Sequence, residues 1–414
     1  MASFAIPLSG LMAAQDEMQT ISNNLANLNT DGYKDENLVF SSIFAQSGGV
    51  NGAGDPMQSG LGVAPSGTFS DFSEGTLNST GLNSNMALSG DGFFIVQQQN
   101  GQPAYTRAGD FTLNNMGYLV TPDGQQLMGY PATGGVVNTS APLQPLQVSA
   151  GQSIPAVATS SIDVTANLSA TTAVGGTAPS STLDVYDSLG NEHQLTISYT
   201  MTGTNTWTYT VSVPSADLTA GATGNTTVGS GTLNFNSSGN LASITNVVPI
   251  SLPTLADGAS APLAISGPFG TVPNATITQT ASASATTATT QNGYASGTLA
   301  SYTVQPDGTV DGTFSNGQTL ALGQVAVASF ANEQGLLAIG NNNLQATVAS
   351  GAAVAGVAGS GSRGTIVDGS VEQSNVDIAS EFSKLIQAQQ SYSASAKSIT
   401  TFSQISQATM QMMQ

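Results

Sequence analysis

The sequence predicts a mostly β, multidomain protein with terminal α-helices forming a coiled coil, its small β domains discontinuous and nested one inside another. Three observations carry that expectation. Apolar residues recur at alternating steps of three and four at both chain ends, the period falls to two between them, and an acidic stretch interrupts what reads as one β domain.

Composition narrows the function classes first. The 414 residues hold 5 Lys or Arg, 24 Asp or Glu, one His and no Cys, for a net charge of -19. Charged residues make up 7% of the chain, against about 25% in an average globular protein, so surface ion pairs are not what keeps it folded and soluble. Five scattered bases cannot form the stripe that neutralises phosphates, which argues against nucleic-acid binding. Disulfides and thiolate chemistry are excluded by the missing cysteines. Hydrophobic residues at 39% supply material for a core. No apolar run reaches the roughly 18 residues of a membrane helix, so no membrane insertion is expected. The first base is Lys34, and Asp16 with Glu17 breaks the early apolar stretch, so no cleaved leader is expected.

The first element is a helix over residues 8–28, whose Leu11, Ala14, Met18, Ile21, Leu25 and Leu28 line one side. Asn29-Thr30-Asp31-Gly32 closes it, with Gly suited to a left-handed cap. Residues 31–75 and 364–375, rich in Gly, Ser and Asn, read as connectors. Short strands follow at residues 85–88, 93–96, 105–107, 111–113 and 118–120, parted by Gly-Asp-Gly, Asn-Gly and Asp-Gly turns. Pro122-Asp123-Gly124 returns as Pro306-Asp307-Gly308, which predicts one β domain over 76–147 and 293–363. Its insertion, 148–292, carries six acids and no Lys or Arg, and reads as a separate, outward-facing β domain.

The last element is a helix introduced by Ser374-Asn375-Val376-Asp377. Ile378, Phe382, Leu385, Tyr392, Ala396 and Ile399 keep the helical register with Gln389 as the polar member, and Phe402 and Ile405 continue it shifted by one position. Residues 1–30 and 376–414 thus form the helical domain. Asp16 and Glu17 on one helix and Lys384 and Lys397 on the other could pair with complementary sign and set register. Ordering about 20 residues costs on the order of 20 to 40 kcal/mol of backbone entropy. Burying six stripe residues returns roughly 9 to 18 kcal/mol. The termini are therefore expected to order when several copies surround one another; an intramolecular helical hairpin is the alternative the pattern leaves open.

Catalytic readings are thin. His193, the only histidine, sits in Asp187-Ser188-Leu189-Gly190-Asn191-Glu192-His193, where turn chemistry explains each residue. A triad would need Ser188 or Ser198 with Asp184 or Asp187 to converge there, and no nucleophile-elbow motif is present. Asp184 and Asp187 as a glycosidase pair are ordinary turn carboxylates. Asp307-Gly308-Thr309-Val310-Asp311-Gly312 lacks the ligand spacing of a calcium loop. Trp207 and Tyr209 on one strand face read as core. No catalytic, metal or cofactor-binding residue is assigned, and no cofactor is expected.

Three blocks resemble a known family. Ser22-Asn23-Asn24-Leu25-Ala26-Asn27-Leu28-Asn29-Thr30-Asp31-Gly32-Tyr33-Lys34 resembles the N-terminal signature of bacterial flagellar rod and hook proteins. Gly90-Asp91-Gly92-Phe93-Phe94-Ile95-Val96, with Tyr105-Thr106-Arg107-Ala108-Gly109-Asp110-Phe111 and Gly117-Tyr118-Leu119, is similar to the family's β-domain motif, and Gln373-Ser374-Asn375-Val376-Asp377 onward is similar to its C-terminal helix. The insertion and the segments at 184–191, 293–297 and 315–324 resemble hook-type members more than the shorter distal rod type. The resemblance implies a homopolymeric tube with the helices inside, the motif-bearing β domain as middle shell and the insertion outside. It implies a flexible joint that passes motor torque to the filament and serves as export channel. Polymerisation would fall to Leu11, Met18, Ile21, Asn23, Asn24, Leu25, Ala26, Asn27, Leu28, Ile378, Phe382, Leu385, Tyr392 and Ile399. Phe4 and Leu8 match an export-gate motif, implying passage through the flagellar type III export apparatus without leader cleavage to an extracellular place on the basal body. Distal rod, hook cap and hook–filament junction proteins would be the partners. A secreted acidic adhesin or surface-layer protein is the alternative from another class.

Overall fold

The structure, a computed structural model, describes residues 4–43, 46–50, 56–149, 151–219 and 222–412. The chain divides into two units, Met1–Ala150 with Ser301–Gly312 and Thr319–Gln414, and Gly151–Ala300 with Thr313–Gln318.

The first unit builds its sheet from both sides of the insertion. Strands run in the order Thr319–Ser329, Gln126–Thr133, Phe93–Gln97, Pro103–Thr106, Asn343–Gln345 and Leu337–Gly340. Gly129 pairs with Val325, Leu127 with Val96, and Asn343 with Thr106. Phe93, Ile95, Tyr105, Tyr130, Ala326 and Ala328 form a buried cluster. Phe330 packs edge-on against Phe93 and Tyr105, with ring centroids 5.9 and 4.8 Å away, the geometry that ring quadrupoles favour. The two similar turns both belong to this unit. Gly124 and Gly308 sit at φ +83° and +87°, a region open to Gly at little cost, and each N–H closes its turn at 2.8 Å on Thr121 O and Gln305 O. The Asp307 carboxylate accepts from Thr309 N at 2.9 Å, which is a turn role.

The segments expected as connectors carry paired strands. Glu36–Ser42 pairs antiparallel with Val63–Ser70, and Gln46–Val50 with Pro56–Ser59. Thr365–Asp368 adds to Met86–Ser89, and Ser370–Glu372 to Leu77–Ser79. Backbone pairing makes these strands, and side-chain alternation is weak: Val39 and Phe69 are each 45% exposed. Residues 44–45 and 51–55 of that segment lie outside the described residues.

The second unit is a five-stranded antiparallel sheet in chain order, Thr177–Tyr186, Glu192–Gly203, Thr206–Pro214, Asn225–Phe235 and Leu241–Val248. Ile162–Ser169 forms a second sheet, parallel to Ile277–Thr280 and antiparallel to Ala285–Gln291. Period-two alternation is strict here. Leu195, Ile197, Tyr199 and Met201 point inward beside Trp207, Tyr209, Val211 and Val213, all buried in one core. The other face carries hydroxyls in register: Thr196 opposite Ser212, Ser198 opposite Thr210 and Thr200 opposite Thr208.

Candidate functional site: the paired chain ends

Two helices of the first unit, Ala5–Ala26 and Ile378–Met412, pack side by side. Pro7 is tolerated because it lies in the first turn, where amide protons have no intrahelical acceptor. Asp377 caps the C-terminal helix, its Oδ1 accepting from Ser380 N at 2.8 Å. The first helix stops at Ala26, earlier than the expected Leu28. Gly32 does adopt the left-handed region, at φ +69°, but closes the turn that follows. A Cβ there would sit 2.3 Å from Ala108 N, so only Gly lets this turn dock on the 105–111 segment.

Three contacts fix one antiparallel register. Asn24 Nδ2 donates to Glu381 Oε2 at 3.1 Å, a Cβ on Gly10 would lie 3.1 Å from Ser395 Oγ, and Phe4 meets Phe402 edge-on at 6.1 Å. Along the C-terminal helix, Glu381 and Ala388 are buried and Ser395 and Phe402 follow in the same heptad position. Half-buried Leu385 and Ile399 interleave with them, while Tyr392, at the same spacing, is exposed. Ile378 and Phe382 fall off this seam, 47% and 52% exposed, and with the exposed Ile386 form a second apolar stripe on the neighbouring face. On the N-terminal helix Ala14, Ile21 and Asn24 are buried, while Leu11, Met18 and Leu25 are half-buried, as is Leu28 just beyond it. Asn23 and Ala26 are exposed, Phe4 and Leu8 are 42% and 43% exposed, and half-buried Asn27 ends the helix.

A polar anchor sits at the open end of the pair. Asn24, wholly buried, donates to Glu36 O at 2.9 Å and to Asp35 Oδ1, and accepts from Tyr33 Oη at 3.0 Å and Glu36 N at 3.1 Å. Burial pushes the Tyr33 phenol up, and the Glu36 and Asp35 carboxylates push it the same way. Lys384 Nζ donates to Glu381 Oε1 at 2.5 Å and Asn37 Oδ1 at 3.0 Å, and lies 3.7 Å from Asp35 Oδ2. Burial would lower the Lys384 ammonium, but these carboxylates outweigh it and hold it above the usual range. Asp35 is raised, chiefly by burial and against the pull of Lys384. The expected pairing of Lys384 with Asp16 or Glu17 is thus replaced by Glu381, one turn away, and Asp35.

Beside it lies a buried ionic triad. Glu372, wholly buried, accepts from Lys34 Nζ at 2.5 Å through Oε1 and from Arg107 at 3.3 Å through Oε2. Gly75 N donates to the same Oε1 at 2.8 Å, and Gly32 N to Glu372 O at 2.7 Å. Burial lowers the Lys34 ammonium, and the Glu372 charge resists that shift. Arg107 also lies over the Phe93 ring, 5.5 Å from its centroid. The chemistry of this site is cohesion: chain segments 24–37 and 372–384 are joined by charge in a low-dielectric setting. Sequence periodicity missed Asp35, Glu372 and Glu381, since polar seam residues carry no apolar signal. Rarity was the available clue, Glu381 being the only acid after Asp377. Among the described residues, side chains grouped so that they could hold a metal ion belong to the second unit, at Asp187, His193 and Asp257.

Family models match along most of the chain: "Flagella basal body rod protein" over residues 6–34, "Flagellar hook protein FlgE/F/G D1 domain" over 87–169, "Flagellar basal body protein FlaE D2 domain" over 169–294 and "Flagellar basal body rod FlgEFG protein C-terminal" over 367–412. The flagellar hook protein FlgE of Salmonella typhimurium is 36% identical, the alignment covering 97% of this chain and 98% of that protein. That of Escherichia coli is 35% identical over 97% and 98%, and that of Treponema pallidum 32% identical over 95% and 96%. The crystal structure of the Helicobacter pylori flagellar hook protein FlgE2 is similar in fold, with a TM-score of 0.55 at 15% identity, covering 72% of this chain and all of that one.

Proposed function

This chain belongs to the flagellar hook protein family and is a structural subunit of the bacterial flagellar hook, part of the flagellum outside the cell; on that footing we propose that its paired terminal helices are the polymerisation element, packing into a coiled coil that lines the tube. The observation behind this is the second apolar stripe. Ile378, Phe382 and Ile386 are exposed on a 35-residue helix whose own chain covers only the adjacent face. Burying the exposed half of three such side chains against a neighbouring copy is worth roughly 0.7–1.5 kcal/mol each, and the contact repeats at each subunit.

The second unit supports the bending joint. Its hydroxyl face of Thr and Ser offers hydrogen bonds that neighbours can exchange at small cost while sliding, as a joint that shortens on one side and lengthens on the other requires. Export proceeds through the flagellar type III apparatus, with the exposed Phe4 and Leu8 as gate contacts. Distal rod, hook cap and hook–filament junction proteins meet the ends of the tube.

Removal of residues 378–414 tests the central claim. Electron microscopy and sedimentation of the truncated protein at high concentration are expected to give no tubes. Tubes of normal diameter from that chain would refute the role of the helices.

A further inference from the structure

Within the second unit, three loops distant in sequence converge on the chain's only histidine. Asp187 follows the strand Thr177–Tyr186, His193 is the second residue of the next strand, Glu192–Gly203, Asp217 lies in the single helical turn Ser215–Leu218, and Asp257 lies in the connection between Ile250–Leu252 and Leu263–Ile265. His193 Nε2 is 3.3 Å from Asp187 Oδ2 and 3.5 Å from Asp257 Oδ2, and Nδ1 is 3.2 Å from Asp217 Oδ2. His193 and Asp187 are buried, at 5% and 0% exposure, while Asp217 and Asp257 keep about a quarter of their side chains in solvent. Two hydrogen bonds hold the loops together: Ala256 N donates to the backbone Asp217 O at 2.8 Å, and the Asn191 side chain donates through Nδ2 to Asp257 Oδ2 at 3.0 Å.

Two features ask for a cation. This unit has no Lys or Arg at all, so three carboxylates meet with one neutralising group at most, the imidazole. And His193 Nδ1, buried, makes no hydrogen bond although Asp217 Oδ2 lies 3.2 Å away, so one nitrogen of the buried ring is left unsatisfied. We infer that Asp187, His193 and Asp257 form a binding site for a borderline divalent cation of the zinc class, with Asp217 as the carboxylate that orients the imidazole.

The distances fit that assignment. Ligands about 2.0–2.2 Å from a tetrahedral metal are separated by about 3.3–3.6 Å, which is the spacing of Nε2 from both carboxylate oxygens. One nitrogen and two carboxylate oxygens favour zinc over calcium or magnesium, which take oxygen sets. Binding through Nε2 puts the ring proton on Nδ1, 3.2 Å from Asp217 Oδ2 and close enough for a small rotation to complete the usual carboxylate–histidine–metal arrangement. The partial exposure of Asp257 leaves room for water as fourth ligand. A bound ion would pin three loops at one end of the sheet.

The test uses the full-length monomeric protein labelled with 15N-histidine, which gives one pair of ring signals because there is one histidine. Titration with Zn2+ is expected to saturate at one ion per chain, shifting the Nε2 resonance and leaving Nδ1 protonated, while Ca2+ and Mg2+ at equal concentration do neither. His193→Gln and Asp257→Asn should abolish uptake measured by equilibrium dialysis, and Asp217→Asn should weaken it by about 10- to 100-fold. Absence of stoichiometric zinc binding in the unsubstituted chain overturns the site, whether or not the variants fold. So does uptake that survives His193→Gln, or an Nε2 that stays protonated at zinc saturation, which would make a proton the occupant.

Discussion

The two units solve cohesion by opposite means. All five bases, Lys34, Arg107, Arg363, Lys384 and Lys397, lie in the first unit, and two of them are buried around Glu372. The second has neither Lys nor Arg and rests on alternating apolar strands around Trp207 and Tyr199. Scarce charge is therefore concentrated where the two ends of the chain must find each other: Lys34 with Glu372, Asn24 with Glu381, Asp35 with Lys384. Apolar burial is non-directional, whereas a buried ion pair accepts one geometry. The region whose register matters carries the directional contacts.

Glu372→Gln should separate the units most widely. Removing that charge leaves Lys34 and Arg107 buried without a carboxylate, a loss of about 3–5 kcal/mol. The single tryptophan, Trp207, lies in the second unit, so its fluorescence transition should stay in place while the helical circular-dichroism signal melts earlier. If both moved together, the units would not be energetically distinct. Leu195→Ala should do the reverse, costing about 2–5 kcal/mol in the fluorescence transition through the cavity it leaves.

Acid should sharpen the contrast. Burial works to raise the Asp187 carboxyl, but hydrogen bonding with Asp257, with the Asn191 and Leu189 amides and with His193 prevails and holds it at about 2. A lowered carboxyl stabilises above its unfolded value and loses that as pH falls, so the second unit should weaken by about 2 kcal/mol between pH about 4 and 2 in the absence of divalent cations. Asp35 is raised, so its contribution is full below the unfolded value and is lost as pH rises through its folded value. Urea titrations at several pH values, read by fluorescence and by circular dichroism, should therefore diverge in sign. Parallel acid dependence of the two signals would contradict the assignment.

Phe382→Asp should have the smallest effect on the monomer, within about 0.5 kcal/mol because the side chain is half exposed. Its effect should appear in assembly instead. Normal tubes, seen by electron microscopy, would remove Phe382 from the polymer contact.

Much of this architecture was legible in the sequence because it obeys a period. The insertion read as a β domain, with Trp207 and Tyr209 as core, because its strands Thr177–Tyr186, Glu192–Gly203 and Thr206–Pro214 follow strict alternation. The helices were legible as elements, but the intrachain seam was not. It runs through Glu381, Ala388 and Ser395, which a search for large apolar residues passes over in favour of Ile378 and Phe382. Strands 36–42 and 63–70 escaped because their stripes are half exposed on both faces. The histidine cluster escaped for another reason: Asp187 and Asp257 are 70 positions apart, and no local pattern links them.

The strand order of the second unit bears on how the molecule comes into being. Each strand of its five-stranded sheet pairs with the one just before or after it in the chain, so every loop closed is short and the sheet can zip up from a single stretch of 72 residues, Thr177–Val248. The first unit has to wait, since strands before residue 134 pair with strands after residue 318. A chain emerging N-terminus first would finish its middle before its ends, so that the helices close last, on a body already formed.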